Sequence, residues 1–140
     1  MRIVLDTSVL VAAVRSPTGA SMALLDAALT GQIEMLISTA LMLEYEAVLT
    51  RAEHLRVSEF THAEVDGLLD AICRTGTEVI IRWQWRPQLH DPDDEMVLET
   101  AINGNAQAIV TFNRTDFAHA AERFGLMVLS PGEALGKVGI

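Results

Sequence analysis

The chain alternates between short, continuous apolar runs and longer segments in which apolar residues return every three or four positions. Short apolar runs bounded by turn residues are typical of buried strands, and the three- to four-residue spacing is typical of helices. The pattern predicts strands at 2–5, 33–37, 77–81, 107–111 and 127–129. It predicts helices at 8–14, 20–29, 40–50, 58–73, 92–103 and 115–124, and a last helix that begins at Pro131.

This alternation of strands and helices indicates an α/β fold with a mainly parallel sheet. A chain of 140 residues suits one compact unit, so we expect a single domain over 1–140. In parallel sheets, functional groups gather beyond the carboxyl ends of the strands. Asp6 and the loop 111–116 each follow a predicted strand, so we expect the functional site at that edge of the sheet.

The segment DPDDEMVLETAINGN, at 91–105, has the clearest helix boundaries in the chain. Asp91 is the expected N-cap, Pro92 the first helical residue and Asp94 the third, and Gly104 ends the helix. For the helix 40–50, Ser38 or Thr39 is the expected cap, because both are hydroxyl residues.

Cysteine content and charge restrict the class of protein. The single cysteine, Cys73, excludes an internal disulfide and favours a reducing, cytoplasmic setting. We expect Cys73 to lie on the apolar face of its helix, in the core. No run of about 18 apolar residues is present, so we expect no association with a membrane. The net charge of -9 disfavours nucleic-acid binding through a broad basic surface, but it is compatible with an acidic site that holds a divalent cation.

Acidic residues occur in four separate segments that the predicted fold brings toward one edge. Asp6 follows the first strand, and on its own it is more simply the N-cap of the next helix. Glu44 has apolar neighbours at three- and four-residue spacing, but so does Glu46, and periodicity does not choose between them. The acids within 91–94 and Asp116 suit helix N-termini, although three acids in four positions repel one another.

Carboxylates gathered in this way suit the hydrolysis of a phosphodiester. Mg²⁺ or Mn²⁺ can activate water and neutralise phosphate charge, and oxygen ligands hold these ions. Two such ions about 3.5–4 Å apart require several carboxylates from distant parts of the chain. The four acidic segments therefore predict a metal-dependent hydrolase.

Basic and aromatic residues near these segments have competing interpretations. Trp83 and Trp85 could stack on bases, but packing is the simpler interpretation. The basic interval 51–56, which includes His54, could contact phosphate, but a solvated turn is the simpler interpretation. Arg114 is better placed, in the loop after the fourth strand, and we expect it to bind substrate.

Three segments of the chain resemble the PIN-domain family: MRIVLDTSVLVAAV, STALMLEYEAVL and DPDDEMVLETAINGNAQAIVTFNRTDF. The likeness is closer to a bacterial branch of toxins from toxin–antitoxin pairs, related to the VapC ribonucleases, and it covers nearly the whole chain. It implies a PIN-like three-layer sandwich whose central, mainly parallel sheet has four to five strands flanked by helices. It also implies an endoribonuclease that depends on Mg²⁺ or Mn²⁺.

The resemblance assigns roles to individual residues. It implies that Asp6, Glu44, Asp94 and Asp116 are catalytic and bind metal, and it favours Glu44 over Glu46. The residues with supporting roles are Thr7, Ser8, Asp91, Thr111 and Asn113.

Two positions depart from the family pattern. Ser8 stands where Asn is usual, although a hydroxyl still donates and accepts hydrogen bonds. Asn113 stands where many members carry Asp, and an amide is a weaker ligand for a hard metal, which puts a second metal site in doubt. Asp116 can compensate for that loss. The alternative function is a non-catalytic PIN-like module that binds nucleic acid or regulates.

The resemblance also implies partners. RNA is the expected substrate, and a small antitoxin is expected to cover the acidic pocket and insert an arginine, whose guanidinium bonds two carboxylate oxygens. The abundant apolar helix surface favours a homodimer.

Overall fold

The computed structural model describes residues 1–84 and 86–140, and Trp85 lies outside them. The strands of the described residues are β1 (Arg2–Leu5), β2 (Glu34–Ile37), β3 (Thr77–Glu78), β4 (Ala108–Val110) and β5 (Met127–Leu129). The helices are α1 (Thr7–Arg15), α2 (Ala20–Leu29), α3 (Thr39–Leu49), α4 (Ala52–Leu55), α5 (His62–Thr75), α6 (Pro92–Asn103), α7 (Arg114–Arg123) and α8 (Pro131–Val138).

The five strands form one sheet in the order β3-β2-β1-β4-β5, and every pairing is parallel. β1 is central, with Ile3 opposite Met35 of β2 and Ala108 of β4. All three residues of β4 and three of the four in β1 are buried, as expected for strands covered on both faces. The predicted α/β fold is confirmed, and its sheet is parallel throughout.

Helices cover both faces of the sheet. α6 packs on β1, β2 and β4, whereas α1 contacts α2 and α3, and α2 contacts α5 and α8. The chain moves outward from β1 to β3 and then returns to β4 and β5, so right-handed connections place α1–α5 on one face and α6 and α7 on the other. The three-layer sandwich that the resemblance implies is confirmed.

Helix boundaries follow the sequence where a capping residue sets them. The Ser38 hydroxyl accepts a hydrogen bond from the N–H of Leu41 at the start of α3. The Asp91 carboxylate accepts one from the N–H of Asp93 at the start of α6, and Gly104 ends that helix. These caps and stops match the predictions.

The strand predicted at 77–81 is shorter than its apolar pattern suggested, since it ends at Glu78. The backbone N–H groups of Arg82 and Trp83 both donate to the side-chain oxygen of Asn103. These bonds draw the chain away from the sheet and toward α6, so the strand cannot continue.

Two predictions for the region of α5 are wrong. The helix predicted from 58 begins only at His62, because Thr61 forms a capping box with Glu64. Cys73 is exposed rather than in the core. α5 turns a face with Leu68, Leu69 and Ile72 inward, and Cys73 lies beyond that face.

Among the described residues, no single helix is long and apolar enough to cross a membrane, and α1 and α2 meet that test only together, as a pair bent by 108°.

Candidate active site

Asp6 lies where β1 ends, at the carboxyl edge of the sheet. It is only 5% exposed, and its Oδ2 accepts hydrogen bonds of 2.7 Å from the hydroxyls of Ser8 and Thr111. Asp6 occupies the N-cap position of α1, but its side chain makes no capping hydrogen bond. Helix capping therefore does not account for this carboxylate, which two hydroxyls hold in a fixed orientation.

The same two hydroxyls organise the loop after β4. Thr111 Oγ1 accepts a hydrogen bond from the N–H of Asn113 at 2.9 Å, and Ser8 Oγ accepts one from the N–H of Phe112 at 3.4 Å. Ser8, which departs from the family pattern, thus still links Asp6 to this loop. The end of β1, the start of α1 and the loop after β4 are joined through one buried carboxylate.

Tyr45 positions α3 over this edge, a role that no local pattern in the sequence indicates. Its hydroxyl donates to the carbonyl oxygen of Leu5 over 2.5 Å, and the side chain is fully buried. Burial, and then the negative charge of Asp6, raise the pKa of Tyr45 well above its ordinary value, so the hydroxyl stays protonated and remains a donor.

A cleft of about 360 Å³ opens in front of Asp6. Three of the four predicted metal-binding acids line it, from the residue after β1 and from α3 and α6: Asp6, Glu44 and Asp94. Among the predicted supporting residues, Thr7, Ser8, Asp91 and Asn113 also line it, together with Val11, Val48, His54 and Asp93.

Glu46, the alternative to Glu44, does not line this cleft. It lines a separate depression of about 440 Å³ between α3 and α5, with Met42, Leu43 and Leu69. Two residues along a helix correspond to a rotation of about 200°. Only Glu44 therefore shares the cleft with Asp6, a distinction that apolar spacing alone did not make.

The acids of the cleft oppose one another's ionisation. Burial, followed by the charges of Asp6, Asp91, Asp116 and Asp93, raises the pKa of Asp94 from 3.8 to about 7. Burial and the charge of Asp93 raise the pKa of Glu44 as well. Negative charge is therefore concentrated in this cleft beyond what its own residues neutralise.

Asp116 lies at the margin of this arrangement. It is exposed on the first turn of α7 and is not among the residues that line the cleft. It borders an adjoining depression together with His90 and His119. Its charge nevertheless reaches Asp94, whose pKa it helps to raise, so we place Asp116 beside the cleft rather than in it.

Arg114, the expected substrate-binding residue, is exposed and already has a partner. Its Nη1 donates to Oε1 of Glu133 over 2.5 Å. Glu133 also belongs to the capping box of α8, with Ser130. Sequence reasoning missed this ion pair, because Glu133 lies 19 residues away along the chain.

A polar stripe on α6, formed by Glu95, Glu99 and Asn103, holds the segment that precedes the acidic helix N-terminus. Glu95 Oε1 accepts hydrogen bonds from the N–H groups of Gln88 and Leu89, at 2.6 and 2.9 Å. Glu99 accepts two hydrogen bonds from the Arg86 guanidinium, and Asn103 bonds the backbone near position 83. The sequence shows that these three residues are spaced four apart, but it does not show which groups they bind.

The basic interval 51–56 forms the short helix α4 and reaches the cleft. His54 lines the cleft, and its Nδ1 lies 3.2 Å from Nη2 of Arg15. The charge of Arg51 lowers the pKa of Glu44, against the larger effects of burial and Asp93. The interpretation of this interval as a solvated turn is therefore incomplete, because it also supplies the cationic side of an acidic cleft.

A divalent metal ion fits the chemistry of the donor set. Carboxylate oxygens are the donors that Mg²⁺ and Mn²⁺ prefer, and a cation would relieve the repulsion that adds to burial in raising the pKa of Asp94. Across 1–84 and 86–140, no three His, Cys, Asp or Glu side chains stand in an arrangement that could hold an ion. The acids line one cleft without converging on a point, so binding requires their side chains to turn inward.

Comparison with known proteins supports the interpretation of the sequence. A family model described as the PIN domain matches residues 2–115. Comparison with curated proteins finds no match.

Solved structures that share the fold include two VapBC structures. One is the crystal structure of VapBC2 from Rickettsia felis, bound to a DNA fragment from their promoter; the TM-score is 0.59 at 14% identity, over 93% of this chain and 98% of that one. The other is VapBC-1 from nontypeable Haemophilus influenzae, with a TM-score of 0.62 at 12% identity, over 94% of this chain and 99% of that one. At these identities the likeness concerns the fold.

Proposed function

This chain belongs to the PIN domain family, whose members are generally nucleases, and from that premise we propose that it is a Mg²⁺- or Mn²⁺-dependent endoribonuclease. The observation that carries the proposal is the cleft at the carboxyl edge of the sheet. There the carboxylates of Asp6, Glu44 and Asp94 line one cleft, and burial together with the charges of Asp6, Asp91, Asp116 and Asp93 raises the pKa of Asp94 to about 7.

Each acid has a distinct structural basis for its role. Asp6 is the most constrained, because Ser8 and Thr111 fix its carboxylate, so we assign it as the principal ligand. Glu44 and Asp94 complete the set from α3 and α6, and Asp116 adds negative charge from the margin. These carboxylates would hold a divalent metal ion, which would activate water and neutralise charge on the phosphate.

Other residues of the cleft would orient the substrate. The loop after β4 is fixed through Thr111, and Asn113 lines the cleft as a neutral donor and acceptor that can contact a phosphate or ribose oxygen. The reaction expected from such a site is hydrolysis of a phosphodiester that leaves a 5′-phosphate.

We further propose that the chain is the toxin of a cytoplasmic toxin–antitoxin pair and acts as a homodimer. Two of the structures that share its fold are VapBC assemblies by name. An arginine from the antitoxin, inserted among the carboxylates, would supply the charge that metal otherwise supplies. Antitoxin affinity should then fall as Mn²⁺ is titrated into the complex, and an affinity that stays constant up to saturating Mn²⁺ would exclude this mode of inhibition.

A second candidate function is a non-catalytic PIN-like module that binds nucleic acid or regulates. Asn113 favours it, because this residue brings an amide rather than a carboxylate to the cleft. The side chains of the described residues also do not converge on a metal position. In this case RNA binding would persist in EDTA and no cleavage would follow addition of metal.

The test of the proposed function is cleavage of single-stranded RNA by the purified protein with Mg²⁺, Mn²⁺ or excess EDTA. We expect cleavage with either metal and none in EDTA, and we expect Asp94→Asn to be inactive. Cleavage that proceeds equally well in EDTA, or in Asp94→Asn, would overturn the proposal.

A further inference from the structure

Basic side chains border the cleft that holds the acids, beyond its far end. On α1, Thr7, Val11 and Arg15 recur every four residues and so lie along one face, and the first two line the cleft. On α3, Glu44 and Val48 have the same spacing and both line it. The cleft therefore runs along these two helices, away from the edge of the sheet.

We call Arg15, Arg51 and His54 the basic end: His54 lines the cleft, Arg15 contacts His54, and the charge of Arg51 reaches Glu44. Arg15 donates to Nδ1 of His54, because a guanidinium has only donors, so the neutral imidazole carries its proton on Nε2. Nε2 has no hydrogen-bond partner in the described part of the chain and is available as a donor. Arg15 and Arg51 are both exposed, and neither forms an ion pair within the described residues.

We propose that Arg15, Arg51 and His54 bind a backbone phosphate of single-stranded nucleic acid, adjacent to the phosphate held at the acidic end of the cleft. This inference rests on the proposed function, since it adds a substrate subsite to the nuclease. Val11 and Val48 form an apolar stretch of the lining between the two ends, suited to contact with a base or ribose.

The basic end is important for substrate binding because the chain as a whole offers little positive charge to a polyanion. With 10 Lys and Arg residues against 19 acids, the chain has few cations to attract a polyanion. Arg114, which the sequence suggested for this purpose, is paired with Glu133. The Arg15 and Arg51 guanidinium groups can instead bind phosphate oxygens in a bidentate manner, which positions the strand without reading its bases.

The test measures binding of a fluorescent, single-stranded oligouridylate in the Asp94→Asn background, where we expect no cleavage. Arg15→Ala combined with Arg51→Ala should raise Kd about tenfold or more. The slope of log Kd against log salt should fall by about 0.7 for each phosphate that the variant no longer neutralises. Arg51→Lys in place of Arg51→Ala should recover part of the affinity and about 0.7 of the salt slope, because it keeps the charge but not the bidentate guanidinium.

Arg74→Ala is the matched control. Arg74 is exposed in the last turn of α5, which leads into β3 from the opposite edge of the sheet. This variant removes one exposed arginine far from the cleft and should leave both Kd and the salt slope unchanged. Equal values for the double variant and Arg74→Ala, or no measurable binding at any salt concentration, would overturn the inference.

Activity assays show separately whether the proposed nuclease function fails. Hydrolysis of bis(p-nitrophenyl) phosphate and cleavage of the oligouridylate, both by the wild type with Mn²⁺, report the chemistry at the acidic end. Absence of both activities would refute the nuclease proposal, whereas the binding comparison still tests the basic end. In an active enzyme, we expect the double variant to raise KM for the oligouridylate more than it lowers kcat.

Discussion

The hydrogen bond from Tyr45 to the carbonyl oxygen of Leu5 joins the immediate neighbours of two carboxylates that line the cleft. Tyr45 follows Glu44 on α3, and Leu5, the last residue of β1, precedes Asp6. One buried contact of 2.5 Å therefore sets how α3 meets the edge of the sheet and how far apart the two acids are held.

Tyr45→Phe tests this relationship. Loss of the hydroxyl leaves a buried carbonyl without its donor, so we expect a loss of about 1–3 kcal/mol of unfolding free energy in urea. We also expect weaker Mn²⁺ binding, measured by titration calorimetry, because Glu44 is no longer fixed relative to Asp6. Ile72→Val is the control: it costs about 0.5–1.5 kcal/mol in the core away from the cleft. Equal Mn²⁺ affinity in the two variants would show that Tyr45 only stabilises the fold.

Thr111→Val tests the support of Asp6. The variant removes one of the two hydroxyls that donate to Asp6 Oδ2 while keeping the size of the side chain. Outer-shell partners of this kind affect metal affinity by about 10–100-fold, and we expect a loss of Mn²⁺ affinity in that range. Thr115→Val, at an exposed position in the next turn, should leave the affinity unchanged. Wild-type affinity in Thr111→Val would mean that Ser8 alone orients the carboxylate.

The raised pKa of Asp94 predicts an inverse dependence of metal-free stability on pH. Asp94 titrates near 3.8 in an unfolded chain and at about 7 in the folded protein, so the folded state binds more protons between these values. Stability in EDTA should therefore fall as pH rises from about 4 to 7, and remain lower above 7. Asp94→Asn should flatten this dependence and melt at a higher temperature than the wild type at pH 8.

Thermal melts of both proteins across that range in EDTA check this prediction. A wild-type melting temperature that rises steadily from pH 4 to 7, with Asp94→Asn less stable at every pH, would instead indicate a structural role for Asp94 at the start of α6.

Glu44→Gln and Glu46→Gln form a matched pair on one helix. Both replace a carboxylate by an amide of the same shape, but only Glu44 shares the cleft with Asp6. We expect Glu44→Gln to reduce Mn²⁺-dependent RNA cleavage by at least about tenfold, and Glu46→Gln to stay near the wild type. The comparison is made as kcat/KM on one RNA substrate, and equal losses or the reverse order would refute the assignment of Glu44.

The arrangement of strands and helices could be predicted from the sequence because local signals specify it. Apolar runs marked the strands, the side chains of Ser38 and Asp91 capped the helices that follow them, and Gly104 marked a helix end. The strand at 77–81 was overestimated, since the bonds that end it come from Asn103, which lies 21 residues beyond Arg82 along the chain. Local pattern carries no information about such a partner.

The acids of the cleft could be named from the sequence, and the resemblance named Ser8 and Thr111, which donate to Asp6, as supporting residues. Asp6 follows a strand, and Asp94 lies in the first turn of a helix. Both positions can be recognised in a sequence. Supports that depend on contacts across the fold could not be named in this way. Tyr45 and the pairing of Arg114 with Glu133 depend on contacts across the fold. Glu44 and Glu46 both had apolar neighbours at helical spacing, and only tertiary packing separates them.

The polar stripe on α6 restricts how the length of the chain can vary during evolution. At successive turns of α6, hydrogen bonds hold the preceding segment through the side chains of Glu95, Glu99 and Asn103. Asp94 lies in the first turn of the same helix. Insertion or deletion of one residue within 95–103 would rotate part of this stripe by about 100° relative to the rest, detaching the segment that leads into the acidic helix start. Relatives should therefore keep a constant number of residues from Asp91 to Asn103, and place their insertions in surface turns such as 56–61.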